Sequence, residues 1–386
     1  MLIIAPGKLP IPASQGGAVE NLIQYLISDL NVKNKYDITI ITSFDEKSLE
    51  LEKKISKIEF KHISVNSKLY KFKRLVRYII NRIPGIYIGN EYIHRVNKLL
   101  NREKIKYDYI LIENSPQYIL KINKKYYEKS ILHLHNDFLF SDINQSKKIV
   151  HKYDKILCLS DFISNRVKEI DLNYKNVYTL YNGVDLNEFY EVSQNVQNEY
   201  RLKLSIDIND YVFIYSGRLV PEKGVEELIS CYKFVHSQYN NTRLIICGGI
   251  NSNYSKKLMK DYASEDIIFT NYVNKDELRI YYSLSNLGVV PTKINEGFGL
   301  IVIENMACGT PVLVSNSGGR PEIIKPKTGI IFDTGKDFEK NLRESMIKCI
   351  DTEFDKNSII DNAVKYDIKN YCNNFISLIE ENENES

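Results

Sequence analysis

The stretch PTKINEGFGLIVIENMACGTPVLVSNSGGRPE, residues 291–322, decides the fold. An apolar run at 287–290 precedes it and predicts a buried strand that ends at Pro291. The apolar segment 300–307 predicts a helix stopped by Gly309 and Pro311, and residues 312–315 predict the next strand. This is a βαβ unit with a glycine-containing turn at a strand's carboxyl end, where open α/β sheets bind ligands.

Two carboxylates flank that turn. Glu304 is the only charged residue from Gly297 to Ser315, and a carboxylate in an apolar segment is costly unless it is paired or hydrogen-bonded. Glu296 lies on the loop before the glycines, so both carboxylates are near a predicted helix N-terminus, which favours anions. Taken alone, the pair fits a ligand site, and it equally fits a buried, satisfied Glu304 beside a solvated Glu296.

The whole chain repeats this alternation of strands and helices, which predicts parallel sheets. Its 386 residues suggest two domains. The first half predicts strands at 2–5, 37–42, 64–65, 108–113, 130–135, 155–160 and 178–181. After the turn signal at 182–185 the pattern restarts with strands at 211–217, 243–247 and 267–270. We therefore predict an α/β protein with one domain over residues 1–185 and a second that starts at 186.

Composition indicates an ordinary globular protein, with 43% hydrophobic and 26% charged residues. The six cysteines form no C-x-x-C pair and several lie in apolar runs, so we expect reduced core residues and a cytoplasmic location. No secretory signal is evident, and no apolar run approaches the roughly 18 residues of a membrane span. A structural metal is not expected, because the histidines do not group with the cysteines.

Charge is unevenly distributed along the chain. Residues 1–185 hold 30 Lys and Arg against 20 Asp and Glu, a balance of +10, and residues 186–386 hold 22 against 29, a balance of −7. Residues 68–82 mix basic and apolar side chains at helical spacing, which suits an anionic membrane surface. An ordinary helix with its apolar face on the core is the favoured interpretation, and no nucleic-acid module accompanies the patch.

Other candidate site residues follow predicted strands. His135 ends the strand at 130–135, where ligand loops gather; H-x-H could bind a metal, but no third ligand is obvious. Arg218 and Lys223 lie in one strand-to-helix turn, a natural place to hold a diphosphate by charge-assisted contacts. Each observation alone also fits a structural histidine or two surface cations.

Three segments together resemble the retaining glycosyltransferases of family 4, which have the GT-B fold. They are GGAVE at 16–20, SGRLVPEKG at 216–224, and EGFGLIVIENMACGTPV from 296, which carries the family's E-x7-E signature. The sequel SGGRPEII at 317–324 and the linker YNGVD at 181–185 also match. The resemblance covers almost the whole chain. It implies two Rossmann-like domains facing across a cleft, a donor domain over 186–364, and a C-terminal helix, about 365–386, that crosses back.

The resemblance also implies residue roles. Arg218 and Lys223 would hold the diphosphate of a nucleotide sugar, Glu304 the ribose hydroxyls, and Glu296 the donor sugar. The remaining implied donor contacts are Gly17, Val273, Gly297, Phe298, Gly299 and Leu300. Gly16 and Glu20 would lie on the acceptor side. His135 would lie near the reacting carbon, so Glu296 and His135 are the predicted catalytic residues.

The implied reaction is retaining transfer of a sugar, with UDP as the default nucleotide, to a saccharide or lipid-linked saccharide of a bacterial surface glycoconjugate. The chain has no D-x-D motif, so no metal or other cofactor is expected. The acceptor hydroxyl would attack on the face that the diphosphate leaves, without Glu296 as nucleophile. A nucleotide-sugar 2-epimerase of the same fold and a non-catalytic sugar-nucleotide-binding subunit stay open as alternatives.

Overall fold

The structure, a computed structural model, describes residues 1–65, 67–81, 83 and 86–381. The chain divides into two compact units, one of residues 1–182 with 371 onward, the other of residues 183–370. The sequence analysis placed these boundaries at 185 and at about 365. Tyr371 lies within the last helix, so this helix begins in the second unit and continues into the first.

The first unit is built on a seven-stranded sheet in which every ladder is parallel. The strand order is β3-β2-β1-β4-β5-β6-β7. The strands are β1 (Leu2–Ile4), β2 (Ile38–Ser43), β3 (Ile58–Ile63), β4 (Tyr107–Glu113), β5 (Tyr127–Leu134), β6 (Lys155–Cys158) and β7 (Val177–Thr179). The helices are α1 (Ala18–Ser28), α2 (Leu30–Lys35), α3 (Glu46–Glu52), α4 (Lys68–Ile80), α5 (Glu91–Glu103), α6 (Ser146–Val150) and α7 (Asp161–Lys168).

One strand of this sheet was misplaced by the sequence analysis. The third strand was predicted at 64–65, but β3 occupies residues 58–63. It is an edge strand, and all but its last residue are partly or fully exposed. Because an exposed edge strand accepts polar side chains, polar residues are mixed with apolar ones in β3. The strand therefore lacks the apolar run that marks the central strands.

The second unit is built on a six-stranded parallel sheet of order β10-β9-β8-β11-β12-β13. The strands are β8 (Tyr211–Ser216), β9 (Thr242–Cys247), β10 (Ile267–Asn271), β11 (Leu287–Val290), β12 (Val312–Ser315) and β13 (Gly329–Phe332). The helices are α8 (Gln194–Lys203), α9 (Val225–Gln238), α10 (Asn253–Tyr262), α11 (Lys275–Leu284), α12 (Leu300–Ala307), α13 (Phe338–Ile350) and α14 (Lys356–Val364). Helix α15 (Ile368–Glu380) is the one that begins in this unit and continues into the first. The βαβ unit predicted from the opening stretch is present as β11, α12 and β12.

The order of the second sheet places the candidate residues. Strand β8 lies between β9, which follows it in sequence, and β11, which does not. The loops after β8 and β11 therefore leave the sheet side by side at its topological switch point. They touch: a Cβ on Gly224 would lie 2.1 Å from the carbonyl oxygen of Pro291, and Gly224 has φ +71°. Only glycine fits this position without a shift of the backbone.

The cysteines and the core of the second unit are both buried. All six cysteines are free and buried. The core of the second unit gathers apolar side chains from β8, β9, β11 and β12 with those of α9 and α13. Burial of such a leucine, isoleucine or phenylalanine contributes about 1.5–3 kcal/mol, so the sheet that carries the loops is stabilised by its apolar core.

Helix α4 departs from the favoured sequence interpretation. Its apolar side chains do not lie on the core; only Tyr70 is buried. Six others are exposed by 40–66%: Leu69, Phe72, Leu75, Val76, Tyr78 and Ile79. Arg82, Pro84 and Gly85 of the same predicted segment lie outside the described residues. None of the described helices has both the length and the apolarity needed to cross a bilayer.

Candidate functional site

The turn after β8 supplies two cations. Arg218 is exposed, and its guanidinium makes no hydrogen bond or ion pair with the described residues. Its carbonyl accepts a hydrogen bond from the Tyr215 hydroxyl at 2.8 Å, which fixes the start of the turn. A short 3-10 helix, Pro221–Lys223, then leads to α9. The Lys223 side chain is 10% exposed, so its ammonium is largely desolvated and needs a partner.

That partner is Glu296. Its Oε1 is ion-paired to the Lys223 ammonium, and its Oε2 accepts from Arg320 Nη1 at 2.8 Å. The Thr292 hydroxyl donates weakly to the same oxygen at 3.4 Å. Since Lys223 follows β8 and Glu296 follows β11, the switch point brings together two residues that are 73 positions apart. The carboxylate is held between two cations.

Arg320 is a site residue that the sequence analysis missed. Its side chain is fully buried, and its Nη2 donates to the Ile294 carbonyl and to Ser315 Oγ, both at 3.2 Å. Burial lowers the pKa of Arg320, and the neighbouring Glu296 opposes that effect. The motif SGGRPE contained this arginine, but its partner is 24 residues away, so nothing in the local pattern indicated the contact.

Glu304 has a different environment. It lies on α12, and its Oε2 accepts from the Tyr282 hydroxyl at 3.2 Å. That hydroxyl also lies 2.6 Å from Ser216 Oγ, at the end of β8. Burial raises the pKa of Glu304 to about 7, while Tyr282 and Lys275 pull the pKa down. No described cation forms an ion pair with Glu304, so this carboxylate is poised to accept hydrogen bonds from a ligand.

The turn between the two glutamates is tightly fitted. Gly299 has φ +126°, and a Cβ there would lie 2.8 Å from Arg320 Cγ. Phe298 is buried, with its ring 5.7 Å from that of Tyr366. Gly297 precedes this ring, and Leu300 begins α12 directly after Gly299, which supplies no side-chain cap. The first N–H groups of α12 therefore have no capping side chain and can serve an anion.

The predicted base contact lies at the next loop. Val273 is half-buried and lies two residues after the end of β10. Its neighbour Tyr272 is 81% exposed. This loop, like the loops after β8 and β11, leaves the carboxyl end of a parallel strand, so Val273 lies at the same edge of the sheet as the two cations and the two glutamates.

In the first unit, the loop after β1 carries the predicted glycines. Gly16 and Gly17 have φ +74° and +109°. A Cβ on Gly16 would meet no atom within 4 Å, whereas one on Gly17 would lie 2.2 Å from Glu20 Oε2. Glu20 is buried in the first turn of α1, and burial raises the pKa of its carboxyl. The backbone at Gly16 is thus open to close approach, and Glu20 packs beneath Gly17.

His135 belongs to a buried cluster at adjacent strand ends. Glu113 ends β4, and His135 follows the end of β5, the neighbouring strand. His135 Nε2 lies 2.8 Å from Glu113 Oε2, and His133 Nδ1 lies 3.2 Å from the same oxygen. Burial lowers the pKa of His135 to about 4, with His133 adding to the effect. A neutral His135 that donates from Nε2 has an acceptor lone pair on Nδ1.

This cluster corrects one statement of the sequence analysis. Glu113 is the third group beside H-x-H, and the three residues bring ligand atoms within 4.8 Å of one another. The signal was available, since DYILIE and SILHLH were both predicted as strands. The outer ring nitrogens, His133 Nε2 and His135 Nδ1, have no hydrogen-bond partner among the described residues. Metal-binding histidines normally have such a partner. His133 Nδ1 and Glu113 Oε1 also have no hydrogen-bond partner among the described residues, so the His135–Glu113 hydrogen bond accounts for only part of the cluster.

Known proteins resemble this chain in both sequence and structure. Residues 196–366 match the model of the family described as Glycosyl transferases group 1. The matched range contains the turn after β8, both glutamates, Arg320 and the β10 loop. Most of the second unit therefore matches this family, and the chain has the GT-B fold.

Relatives and solved structures extend the similarity to the whole chain. The putative glycosyltransferase YtcC of Bacillus subtilis is 26% identical over 95% of this chain and 86% of its own length. A GDP-mannose-dependent phosphatidylinositol monomannoside mannosyltransferase of Corynebacterium glutamicum is 26% identical over 53% of this chain and 55% of its own length. Anabaena Alr3699/HepE, solved in complex with UDP, has a TM-score of 0.72 and 17% identity, covering 98% of this chain and 99% of its own.

Proposed function

We propose that the protein is a retaining, metal-independent glycosyltransferase whose second unit binds a nucleotide-sugar donor. One observation carries the proposal: the segments after β8 and β11, which carry Arg218 and Lys223 and the two glutamates, leave neighbouring strands at the switch point of one parallel sheet, and Lys223 contacts Glu296 there. Arg218 and Lys223 suit a diphosphate. Glu304, which forms no ion pair with the described cations, suits the hydroxyls of a ribose. Val273, Gly297, Phe298, Gly299 and Leu300 complete the proposed donor surface.

The proposed mechanism uses electrostatics and no covalent intermediate. The cations and the N-terminus of α12 stabilise the charge of the departing nucleoside diphosphate. The acceptor hydroxyl attacks on the face that the diphosphate leaves, so the anomeric configuration is retained. The double ion pair of Glu296 supports its role as a sugar-binding group, because a carboxylate held by two cations is a poor nucleophile. His135 Nδ1 is the proposed acceptor of a hydrogen bond near the reacting carbon.

A panel of nucleotides tests the donor site. Melting temperature is measured with UDP, GDP, ADP and their sugars, in the presence of EDTA. UDP is the nucleotide that we expect to bind, and the structurally similar Alr3699/HepE was solved with UDP. However, the relative from Corynebacterium glutamicum, which matches about half of this chain, is named as GDP-mannose-dependent. We expect one nucleoside diphosphate to raise the melting temperature most. A flat panel would overturn the proposal. Product analysis with donor alone separates a transferase, which needs an acceptor, from a 2-epimerase, which does not.

The acceptor is proposed to bind the first unit, because residues 1–185 carry the +10 charge balance and include Gly16 and Glu20. Its proposed class is a saccharide or lipid-linked saccharide at the inner face of the membrane, as in the assembly of bacterial surface polysaccharide. Helix α4 supports a peripheral contact with anionic lipid. Its exposed apolar side chains recur at three- and four-residue spacing, and the helix carries five basic and no acidic residues.

Vesicle binding tests this contact. Tyr70 and Arg77 anchor α4 to α5, since Arg95 lies over the Tyr70 ring and Arg77 pairs with Glu91; they stay unchanged. A Lys71→Glu, Lys73→Glu variant and a Phe72→Ser, Ile79→Ser variant should both lose sedimentation with phosphatidylglycerol vesicles at low salt. Leu202→Ser removes an apolar side chain elsewhere that is even more exposed, and it is the control. If the wild-type protein stays in the supernatant, the membrane contact is wrong.

A further inference from the structure

Glu296 is held by two cations of unequal character. Arg320 is fully buried and donates three hydrogen bonds, to Glu296, the Ile294 carbonyl and Ser315. Ser315 Oγ in turn donates to the Thr292 carbonyl at 2.7 Å. Arg320 thus ties the loop after β11 to the end of β12 at several points, and it cannot leave without breaking all of them.

Lys223 has one ion-pair partner among the described residues and a long, flexible side chain. Its ammonium contacts Glu296, and it lies in the same turn as Arg218, an exposed residue whose guanidinium makes no hydrogen bond or ion pair with the described residues. A diphosphate that binds Arg218 would bring a second anion next to the Lys223 ammonium. That anion and the Glu296 carboxylate would then compete for Lys223.

We propose that the Lys223–Glu296 ion pair is a latch of the donor-free state, which the diphosphate opens, while Arg320 is a positioning residue that keeps Glu296 in place. This inference rests on the proposed donor site. It explains why one carboxylate needs two cations: Lys223 is the exchangeable one, and Arg320 remains after the exchange. Glu296 would then stay oriented toward the sugar while Lys223 serves the phosphate.

The latch makes predictions of opposite sign for two variants. The probe is the nucleoside diphosphate without sugar that shifts the wild-type melting temperature most, so that the sugar contact of Glu296 plays no part. Glu296→Gln frees Lys223, and we expect binding about 3–10-fold tighter in calorimetry. Arg320→Met leaves Glu296 with Lys223 alone, so the latch is stronger and we expect binding about 3–10-fold weaker. A merely structural role would weaken binding in both variants.

Two double variants isolate the mechanism. On a Lys223→Met background, Glu296→Gln should no longer tighten binding, because the latch is already absent. On a Glu296→Gln background, Arg320→Met should no longer weaken it. Arg320→Lys should recover part of the wild-type affinity. Arg243→Met is the control for loss of a paired arginine, since Arg243 bridges Asp210 and Asp266 away from these residues; nucleotide affinity should not change.

The outcomes separate the latch from the donor site itself. If wild-type protein binds none of UDP, GDP and ADP, the proposed function fails and the latch with it. If a nucleotide binds but Glu296→Gln leaves its affinity unchanged or lower, the donor site stands and the latch is overturned. The latch would also be overturned if Glu296→Gln tightened nucleotide binding equally with and without Lys223. Removal of the negative charge near the diphosphate would then explain the tighter binding without any ion pair. If Arg320→Met fails to fold, the comparison of Glu296→Gln with and without Lys223→Met still tests the latch.

Discussion

Glu296 and Glu304 are eight positions apart and have opposite electrostatic environments. Glu296 is 28% exposed and contacts Lys223 and Arg320. Glu304 forms no ion pair with any cation in the described part of the chain, and its hydrogen-bond partner there is the Tyr282 hydroxyl. One carboxylate is stabilised before any ligand arrives, and the other is destabilised until a ligand supplies donors. The E-x7-E spacing alone does not distinguish them; the residues that surround each one do.

The largest expected contrast is in stability. At pH 8 without ligand, Glu296→Gln should lower the free energy of unfolding by about 3 kcal/mol, because it leaves the buried Arg320 without its counter-ion. Glu304→Gln should raise it by about 1–3 kcal/mol, because it removes an ionised, desolvated carboxylate. Urea unfolding measures both. Two changes of the same sign would contradict the contrast.

The pH dependence sharpens the same contrast. The pKa of Glu304 is raised from 4.5 to about 7. Between these pH values the folded state holds a proton on Glu304 that the unfolded state has lost. The Glu304 contribution to stability is therefore present below pH 4.5 and falls as pH rises to about 7. Glu304→Gln should flatten the curve between these values, and a curve unchanged from wild type would refute the raised pKa.

Donor binding should depend on Glu304 more moderately. Glu304→Ala should weaken binding of the nucleotide by about 1–3 kcal/mol, since the hydrogen bonds from ribose hydroxyls to a carboxylate are lost. Calorimetry at pH 8 measures the change. Glu344→Ala, which removes an exposed glutamate of α13, is the matched control. Unchanged affinity in Glu304→Ala would remove the ribose assignment.

The smallest expected effect concerns metal. Transferase activity should survive dialysis against EDTA, because fixed cations and a helix N-terminus face the proposed diphosphate. Metal analysis of the purified protein tests the Glu113 cluster separately. Activity that disappears with EDTA and returns with Mg²⁺ would contradict metal independence, and a stoichiometric metal that Glu113→Gln abolishes would show that the cluster is a metal site.

Much of the fold was predictable because central parallel strands are buried on both faces and leave apolar runs in the sequence. The predicted strands at 287–290 and 312–315 and the helix at 300–307 have the observed bounds. Edge strand β3 and polar helices such as α8 and α10 were misplaced or not predicted, since half-exposed elements lack such runs. Helix α4 was found, but its face was assigned wrongly, because periodicity does not tell whether an apolar stripe meets core or solvent.

By itself the sequence determined the α/β class, the βαβ unit of residues 287–315, and the residue types suited to bind a diphosphate and hydroxyl groups. These follow from hydrophobic periodicity, glycine and proline positions, and local motifs. Only the tertiary structure decided which charges meet. The order of strands β8 and β11 brings Lys223 to Glu296, the end of β12 brings Arg320 to it, and neighbouring strands β4 and β5 join Glu113 to His135. Such contacts depend on strand order and burial, which a linear pattern does not contain.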